Sequence, residues 1–428
     1  MYNPYNFPEK DLFRAMEITE PQFKIQSNIK LFENLWVDFS SVRSNNHFKQ
    51  MKKRLGMVNN ELKYSPNTYS KIIYSGHRGS GKSVELKRFS NEINNNNAFF
   101  SVFIDLETET NIEQLSAEDI YVVLITMLIR NLEEHGVGFN KDDLGDIANE
   151  WVSEKAVEKE LQSSFGLEAD LKVKLGWNFW KVFSAEGNLK SGFSRDNTIT
   201  NTIRRIVKSN PKPLIEKFNA ALVNIRTKIK EEGKGRDLIF FIDGLEKANR
   251  KVYEELFIRD VQMITGLQVN IITTVPIDTY YEIIEQGNRF YFKDFYLPMI
   301  RINEESKPII KNLIYKRVDK SLIDIEALDK LVEMSGGCPR ILLKMVSRGF
   351  LETEEDKITL EVTKRVIQKE GNERYRTLTN EHKTLIRSNN FDDADILVRE
   401  LLQSLTVLEY NGNNPERKLN PVLERFFT

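Results

Sequence analysis

Five short hydrophobic runs recur along the chain, and almost every position within each run is apolar. Runs of this kind, without polar alternation, are typical of parallel β-strands that helices cover on both faces. Helical stretches such as Lys251–Leu267 separate the runs, and this order predicts an α/β fold with a parallel sheet flanked by helices. The predicted strands are Lys71–Ser75, Phe99–Leu106, Leu238–Asp243, Val269–Val275 and Phe295–Ile302.

A long insertion separates the second and third predicted strands, at about residues 110–236. Its pattern favours helices at Glu118–His135 and Asp146–Ser164. Along Leu167–Trp177 apolar and charged residues alternate, which indicates a half-buried strand and predicts a hairpin at about residues 165–195. Four large aromatic residues near its centre belong either to the core or to an exposed contact for a partner or a second copy. They are Trp177, Phe179, Trp180 and Phe183.

Differences in composition and hydrophobic pattern divide the rest of the chain into three further units. Residues 1–30 are polar and contain three prolines, which predicts an N-terminal arm in front of a core at residues 31–303. Residues 304–355 have a helical pattern throughout and predict a helical lid. Residues 356–428 combine helices with two short apolar runs, Leu405–Tyr410 and Lys418–Leu423, and this order predicts a winged-helix-like domain.

Composition narrows the class of protein without identifying it. The 428 residues carry 62 Lys and Arg against 63 Asp and Glu, which excludes a polybasic or polyacidic protein as a whole. Cys338 is the only cysteine, so an internal disulfide and a cysteine-based zinc site are excluded. The longest apolar run, Ile120–Ile129, is about half of what a membrane span needs, and the N-terminus lacks a signal-peptide pattern. We therefore expect a cytoplasmic protein without a membrane partner.

The strongest motif is GHRGSGKS at Gly76–Ser83, which matches GxxxxGK[ST] and lies between a predicted strand and a predicted helix, Val84–Glu92. Its glycines allow a tight loop whose N–H groups can face phosphate oxygens at a helix N-terminus. Lys82 can reach the β- and γ-phosphates, and the Ser83 hydroxyl can bind Mg²⁺. The predicted nucleotide-binding residues are Gly76, His77, Arg78, Gly79, Ser80, Gly81, Lys82, Ser83 and Val84.

Acidic and hydroxyl side chains at strand ends are candidates for the catalytic part of such a site. Asp243 would hold the Mg²⁺, and Glu246 would orient or deprotonate an attacking water; a solvated turn is the alternative. Asp105 is a second candidate for the role of Asp243. Thr274, or its neighbour Thr273, could sense the γ-phosphate or hold the water. The alternative is that its hydroxyl only forms a local hydrogen bond at the end of the strand.

Two arginines outside the loop are candidates for the same site. Arg340, in the lid turn Gly336–Arg340, could contact the γ-phosphate, or it could be a surface residue that starts a helix. Arg43, in the segment Trp36–Arg43, could contribute to the pocket of the base, with packing as the alternative. The chain contains no NKxD-like segment that would recognise guanine, which favours ATP as the nucleotide.

The motifs GHRGSGKS, FFIDGLEK, IITTVP and SGGCPR occur in an order that resembles the AAA+/STAND group of P-loop ATPases, including its NACHT-like and origin-recognition-like branches. The resemblance covers roughly residues 35–350 and, more loosely, 356–428 as a winged helix; the chain departs from the group in its long insertion. It is similar to bacterial conflict or antiphage-defence ATPases. This implies ATP and Mg²⁺ as ligands, slow or trigger-dependent hydrolysis, a homo-oligomer or a separate effector protein, and Arg259 or Arg289 as a residue acting in a neighbouring subunit.

Nucleic acid is a further possible partner. Lys190–Lys234 is rich in basic residues that could follow a phosphate backbone, although a solvated helix face explains the same charges. Three hypotheses follow: an ATP-dependent molecular switch, a DNA-dependent ATPase or loader, and a scaffold that binds nucleotide without turnover. The basic residues singled out are Arg195, Arg204, Arg205, Lys208 and Lys212.

Overall fold

The centre of the molecule is a five-stranded parallel sheet. This computed structural model describes residues 7–25, 28–43, 47–63, 69–152, 177, 179–181, 183–184, 189–190, 198–391, 395–411 and 415–427. The predicted α/β fold is confirmed. The strands are β1 (Lys71–Gly76), β2 (Phe99–Asp105), β3 (Asp237–Asp243), β4 (Asn270–Thr274) and β5 (Lys293–Leu297). Their order in the sheet is β2-β3-β4-β1-β5.

Strands β1, β3 and β4 are buried along their whole length, which explains why their sequences lack polar alternation. The fifth strand begins and ends earlier in the chain than predicted. It ends at Leu297 because Pro298, which follows, has no N–H to donate to a neighbouring strand. A short antiparallel hairpin, Met57–Val58 with Glu61–Leu62, lies outside the sheet.

Helices cover the sheet and form the lid. Before the insertion they are α1 (Leu12–Thr19), α2 (Ile29–Leu35), α3 (His47–Arg54), α4 (Lys82–Asn95) and α5 (Leu106–Glu109). The described insertion contains α6 (Asp119–Glu134), α7 (Lys141–Val152), α8 (Thr198–Ser209) and α9 (Pro211–Glu231). The remaining core helices are α10 (Arg250–Glu254), which continues into a π-helical turn, α11 (Gln262–Thr265) and α12 (Ile277–Glu285). The lid contains α13 (Ser306–Tyr315), α14 (Ile325–Met334) and α15 (Pro339–Glu352).

The predicted features of the insertion have different outcomes. The first helix is confirmed, and the second begins earlier than predicted, at Lys141. Most of the predicted hairpin lies outside the described residues. Trp177, the last residue of the predicted strand, is helical, so the period-two interpretation is wrong there, and its ring contacts Phe139. The other three aromatic residues are buried, which agrees with the core interpretation: Phe179, Trp180 and Phe183.

The C-terminal region follows the predicted order of elements. It contains α16 (Leu360–Arg376), α17 (Asn380–Ser388), α18 (Ile396–Gln403) and an antiparallel hairpin of β6 (Val407–Tyr410) and β7 (Glu416–Leu419). Strand β7 ends before the predicted boundary because Pro421 begins a 3-10 turn. At the other end of the chain, the predicted arm contains α1, which packs against α15 of the lid. Across the part of the chain that the structure describes, no helix is both long and hydrophobic enough to cross a bilayer.

Candidate functional site

The loop between β1 and α4 contains the GHRGSGKS motif, and its backbone requires glycine. Gly76, Gly79 and Gly81 have φ angles of 145°, 84° and 99°, which L side chains rarely adopt. A Cβ atom at Gly79 would lie 2.5 Å from Cβ of Arg340, so the lid helix could not approach the loop. The glycines thus allow both the turn and the close contact with the lid.

Lys82 begins helix α4 and is buried. Its Nζ atom donates hydrogen bonds to the carbonyl oxygens of Gly76 at 2.7 Å and His77 at 2.9 Å. Burial lowers the pKa of Lys82, while the nearby charges of Glu246 and Asp243 oppose that change. Gly81 provides no side-chain cap, so the first N–H groups of the helix keep their capacity to bind an anion.

Asp243 lies beside the loop, at the carboxyl end of β3. Its Oδ1 atom accepts a hydrogen bond of 3.1 Å from Oγ of Ser83. Burial, followed by repulsion from Glu246, raises the pKa of Asp243 to about 7. A cation would relieve this destabilisation of the carboxylate, so the donor set fits Mg²⁺. Within the described ranges no three His, Cys, Asp or Glu side chains could hold a metal by themselves, and Mg²⁺ commonly takes its other ligands from phosphate and water.

Asp105, the second candidate for the metal, is aligned with Asp243 on the neighbouring strand β2. Its carboxylate instead accepts a hydrogen bond of 3.1 Å from Lys24 of the N-terminal arm. Lys24 also forms an ion pair of 2.6 Å with Glu107. Hydrogen bonds from Lys24 and Lys247 outweigh burial and lower the pKa of Glu107 to about 2. Asp105 therefore binds the N-terminal arm, whereas Asp243 contacts the loop between β1 and α4.

Glu246 and Thr274 form a second polar pair at the same sheet edge. Thr274 Oγ1 donates to Glu246 Oε2 at 2.7 Å and accepts from the Gly244 N–H at 3.1 Å. Glu246 is placed there by the 3-10 turn that follows β3. Among the described residues the hydroxyl of Thr273 bonds to the backbone oxygen of Thr274, and Thr274 is the threonine that faces Glu246.

Arg340 lies in the first turn of lid helix α15, and its N–H donates to the Gly79 carbonyl at 3.3 Å. Burial, together with the charge of Arg78, lowers the pKa of Arg340. Cys338 is buried, with Sγ 3.7 Å from the Gly79 oxygen. The lid turn thus packs directly on the loop.

Several of these groups line one cavity of about 380 Å³ between core, lid and arm, but Asp243, Asp105 and Thr274 are not among its lining residues. Its lining includes Glu246 and Arg340 and, from the loop and α4, Arg78, Gly79, Gly81, Lys82, Ser83, Val84 and Glu85. Its apolar wall contains Ile25, Trp36, Val37, Phe39 and Leu313. Lys24 and Arg317 also line the cavity, and sequence reasoning missed both because no local pattern connects them with the loop.

Two predicted residues have positions that the motif does not specify. The ring of His77 is buried and turned toward the C-terminal region: Nε2 accepts from the Glu409 N–H at 2.7 Å, and Nδ1 lies 3.1 Å from the Leu402 oxygen. The His77 side chain therefore does not line the cavity, in contrast to its neighbour Arg78. Arg43 lines the cavity and also donates to the Ser80 carbonyl, so it serves both the pocket and the packing.

The other singled-out arginines lie elsewhere. Arg204 donates to the buried carboxylate of Asp119 at 2.9 and 3.1 Å, and its contact with a nucleic-acid backbone stays a prediction. Arg259 is largely exposed and lies 3.6 Å from Glu254. Arg289 is exposed in the 3-10 turn Asn288–Phe290. Arg195 lies outside the described residues.

The chain matches no protein-family model and no curated protein sequence. Its structure is similar to Cdc6p from Pyrobaculum aerophilum, with a TM-score of 0.43, 11% identity, and coverage of 94% of this chain and 96% of that chain. It is also similar to the ORC2 protein from Aeropyrum pernix in ADPNP–ADP complexes, with a TM-score of 0.41, 9% identity, and coverage of 84% and 87%. A RuvB variant from Thermotoga maritima has a TM-score of 0.37, 12% identity, and coverage of 94% and 98%. These identities and TM-scores carry no conclusion about this chain, so its function has to be inferred from the site.

Proposed function

We propose that this chain is a P-loop ATPase that binds ATP with Mg²⁺ in the cavity between core, lid and arm. The observation that carries the proposal is a set of three residue contacts that meet at the loop between β1 and α4. Lys82 contacts the loop carbonyls, Ser83 contacts Asp243, and Arg340 packs on Gly79. A loop that only turned the chain would not need a buried lysine, a buried carboxylate and a lid arginine together.

Each group has a role that its position supports. Lys82 and the N–H groups at the start of α4 bind the β- and γ-phosphates, and Ser83 with Asp243 holds Mg²⁺, which neutralises phosphate charge when bound. Glu246, positioned by Thr274, takes a proton from the water that attacks the γ-phosphorus. The bond from that phosphorus to the bridging oxygen breaks, and ADP leaves. Arg340 stabilises the charge of the transferred group from the lid side.

The biological role that we propose is a nucleotide-dependent switch. The lid and the C-terminal region both contact the loop, so a change of nucleotide can alter their orientation and thereby assembly or engagement of an effector. A role in bacterial antiphage defence, as a homo-oligomer or with a separate effector protein, is part of this proposal. The resemblance of the motifs supports it. A DNA-dependent ATPase remains the alternative hypothesis, although Arg204 is occupied by Asp119.

The test is ATP binding and steady-state hydrolysis by wild type and Lys82→Ala. Lys87→Ala is the matched control, because Lys87 lies on the same helix but over the Phe103 ring, at 4.4 Å from its centre. We expect Lys82→Ala to lose hydrolysis at least about 100-fold and Lys87→Ala to retain it. Equal activity of wild type and Lys82→Ala would contradict the proposal. Repeating the assay at low salt with DNA separates the alternatives, since only the DNA-dependent enzyme would be stimulated.

A further inference from the structure

His77 is the second residue of the phosphate loop, yet its side chain leaves the loop and enters the C-terminal region. The ring is fully buried between β1 and the hairpin formed by β6 and β7. Its two nitrogens bond to main-chain groups of Glu409, in β6, and Leu402, at the end of α18. A loop position that needed only backbone contacts with phosphate would not require a side chain with two such partners.

The protonation state of this ring is defined by its partners. Burial lowers the pKa of His77 to about 3, so the ring is neutral at physiological pH. Nε2 accepts the Glu409 N–H, and Nδ1 must therefore carry the proton and donate it to the Leu402 oxygen. The ring thus acts as donor and acceptor at once. An apolar side chain would leave both main-chain groups buried without partners.

Strand β6, which bonds to the His77 ring, also contacts the sheet and the lid turn. The carbonyl of Glu409 accepts from the Met299 N–H at 3.0 Å, just beyond the end of β5. Tyr410 donates its hydroxyl proton to the carbonyl of Gly336, in the lid turn, at 2.8 Å. The carboxylate of Glu409 is itself fixed by Arg417, with Nε at 2.7 Å. Strand β6 therefore contacts the loop, the sheet and the lid turn with adjacent residues.

Lys82 connects this arrangement to the phosphates. Its Nζ atom bonds to the carbonyl of the same His77 whose ring bonds to β6. Phosphate oxygens bound by Lys82 would compete with that carbonyl for the three N–H donors of the ammonium group, which would change the constraints on His77 directly. No intermediate residue is needed between the lysine that binds nucleotide and the residue that holds the hairpin.

We propose that His77 couples nucleotide occupancy of the phosphate loop to the position of strand β6 and, through it, to the lid turn. This proposal rests on nucleotide binding at the loop, as proposed above, and adds the residue that transmits it. His77 is a positioning residue here, because its side chain does not line the cavity proposed for the nucleotide.

Hydrogen–deuterium exchange of the full chain, with and without ATP and Mg²⁺, tests the coupling. In wild type we expect nucleotide to change the exchange rate of residues 405–411 by about fivefold or more, the lower end of usual coupling strengths. In His77→Leu we expect that response to disappear while helix α4 still responds to nucleotide. His382→Leu is the matched control: His382 lies in the same C-terminal region, with Nε2 2.9 Å from Glu400, and should keep the response.

The outcomes distinguish the two proposals. A response at residues 405–411 that persists unchanged in His77→Leu overturns the coupling. Absence of a response in wild type at these residues, with a response at α4, overturns it as well. Absence of a response at α4 in wild type contradicts nucleotide binding itself. If His77→Leu does not fold, His77→Gln takes its place, and the coupling predicts a weakened response because the amide cannot satisfy both partners in the same geometry.

Discussion

At the scale of single residues, Asp243 has two properties that conflict. Its position beside Ser83 suits a metal ligand, but its burial destabilises the ionised form. The carboxylate therefore lowers the stability of the protein whenever no cation neutralises it. Groups that are placed for chemistry commonly have such a cost in stability.

Asp243→Asn should accordingly stabilise the metal-free protein and abolish hydrolysis. Because the pKa is raised to about 7, the destabilisation by Asp243 is absent at low pH and grows as pH rises toward 7. We expect the melting temperature of the variant in EDTA at pH 8 to exceed that of wild type by about 2 °C or more. The difference should shrink as pH falls from 7 toward 4. A variant that is less stable than wild type at pH 8 would contradict this account of the site.

At the scale of elements, the lid turn depends on Gly336 and Gly337, which have φ angles of 59° and 75°. A Cβ atom at Gly337 would overlap the carbonyl oxygen of Ile300, beyond the end of β5. The turn therefore packs against the core backbone without a side chain in between. This close approach places Arg340 on the phosphate loop.

A comparison of Gly337→Ala with Gly136→Ala separates the effect of backbone strain from the effect of disturbing the contact with Ile300. Both glycines have positive φ angles, 75° and 65°, but a Cβ atom at Gly136 would meet nothing within 4 Å. Each substitution carries the strain of the left-handed conformation, about 1–2 kcal/mol, and only Gly337→Ala adds the overlap. Thermal denaturation should show a melting temperature at least about 4 °C lower for Gly337→Ala than for Gly136→Ala. Equal melting temperatures of the two variants would mean that the lid turn does not pack closely against the core.

The sequence predicts elements well where the signal is local. Continuous apolar runs located the strands because buried parallel strands need apolar residues on both faces. The GHRGSGKS motif located the loop because its chemistry lies within adjacent residues. The direction of the His77 ring was not predictable, since its partner Glu409 is 332 positions away. The pairing of Arg204 with Asp119, 85 positions apart, was hidden in the same way.

At the scale of the whole molecule, the cavity has walls from three parts of the chain that are far apart in sequence. The arm closes one side, with Lys24 fastened to Asp105 and Glu107 of the core. Backbone hydrogen bonds between Glu9 and the lid residues Arg317 and Asp319 hold the start of the arm. The arm is therefore a structural part of the site, and its polar composition gave no indication of this.

Lys24→Met should accelerate release of ATP. Loss of the ion pairs loosens the arm at the cavity, and partly exposed pairs of this kind are worth up to about 1 kcal/mol, or roughly two- to fivefold in the dissociation rate. Lys30→Met, at an exposed position of α2, is the control and should dissociate like wild type. Stopped-flow release of a fluorescent ATP analogue measures both. The difference should diminish at high salt, and its absence at low salt would refute a gating role for the arm.

The ion pair between Arg204 and Asp119 has a consequence for how this chain can vary among relatives. It joins the start of α6 to α8, so the chain between Asp119 and Arg204 forms one excursion whose two ends are held together. The entropy of closing such an excursion grows slowly, by about 0.6 kcal/mol for each doubling of its length. A change in the length of this excursion during evolution would thus cost little in closure entropy, while the sheet and the phosphate loop keep their geometry.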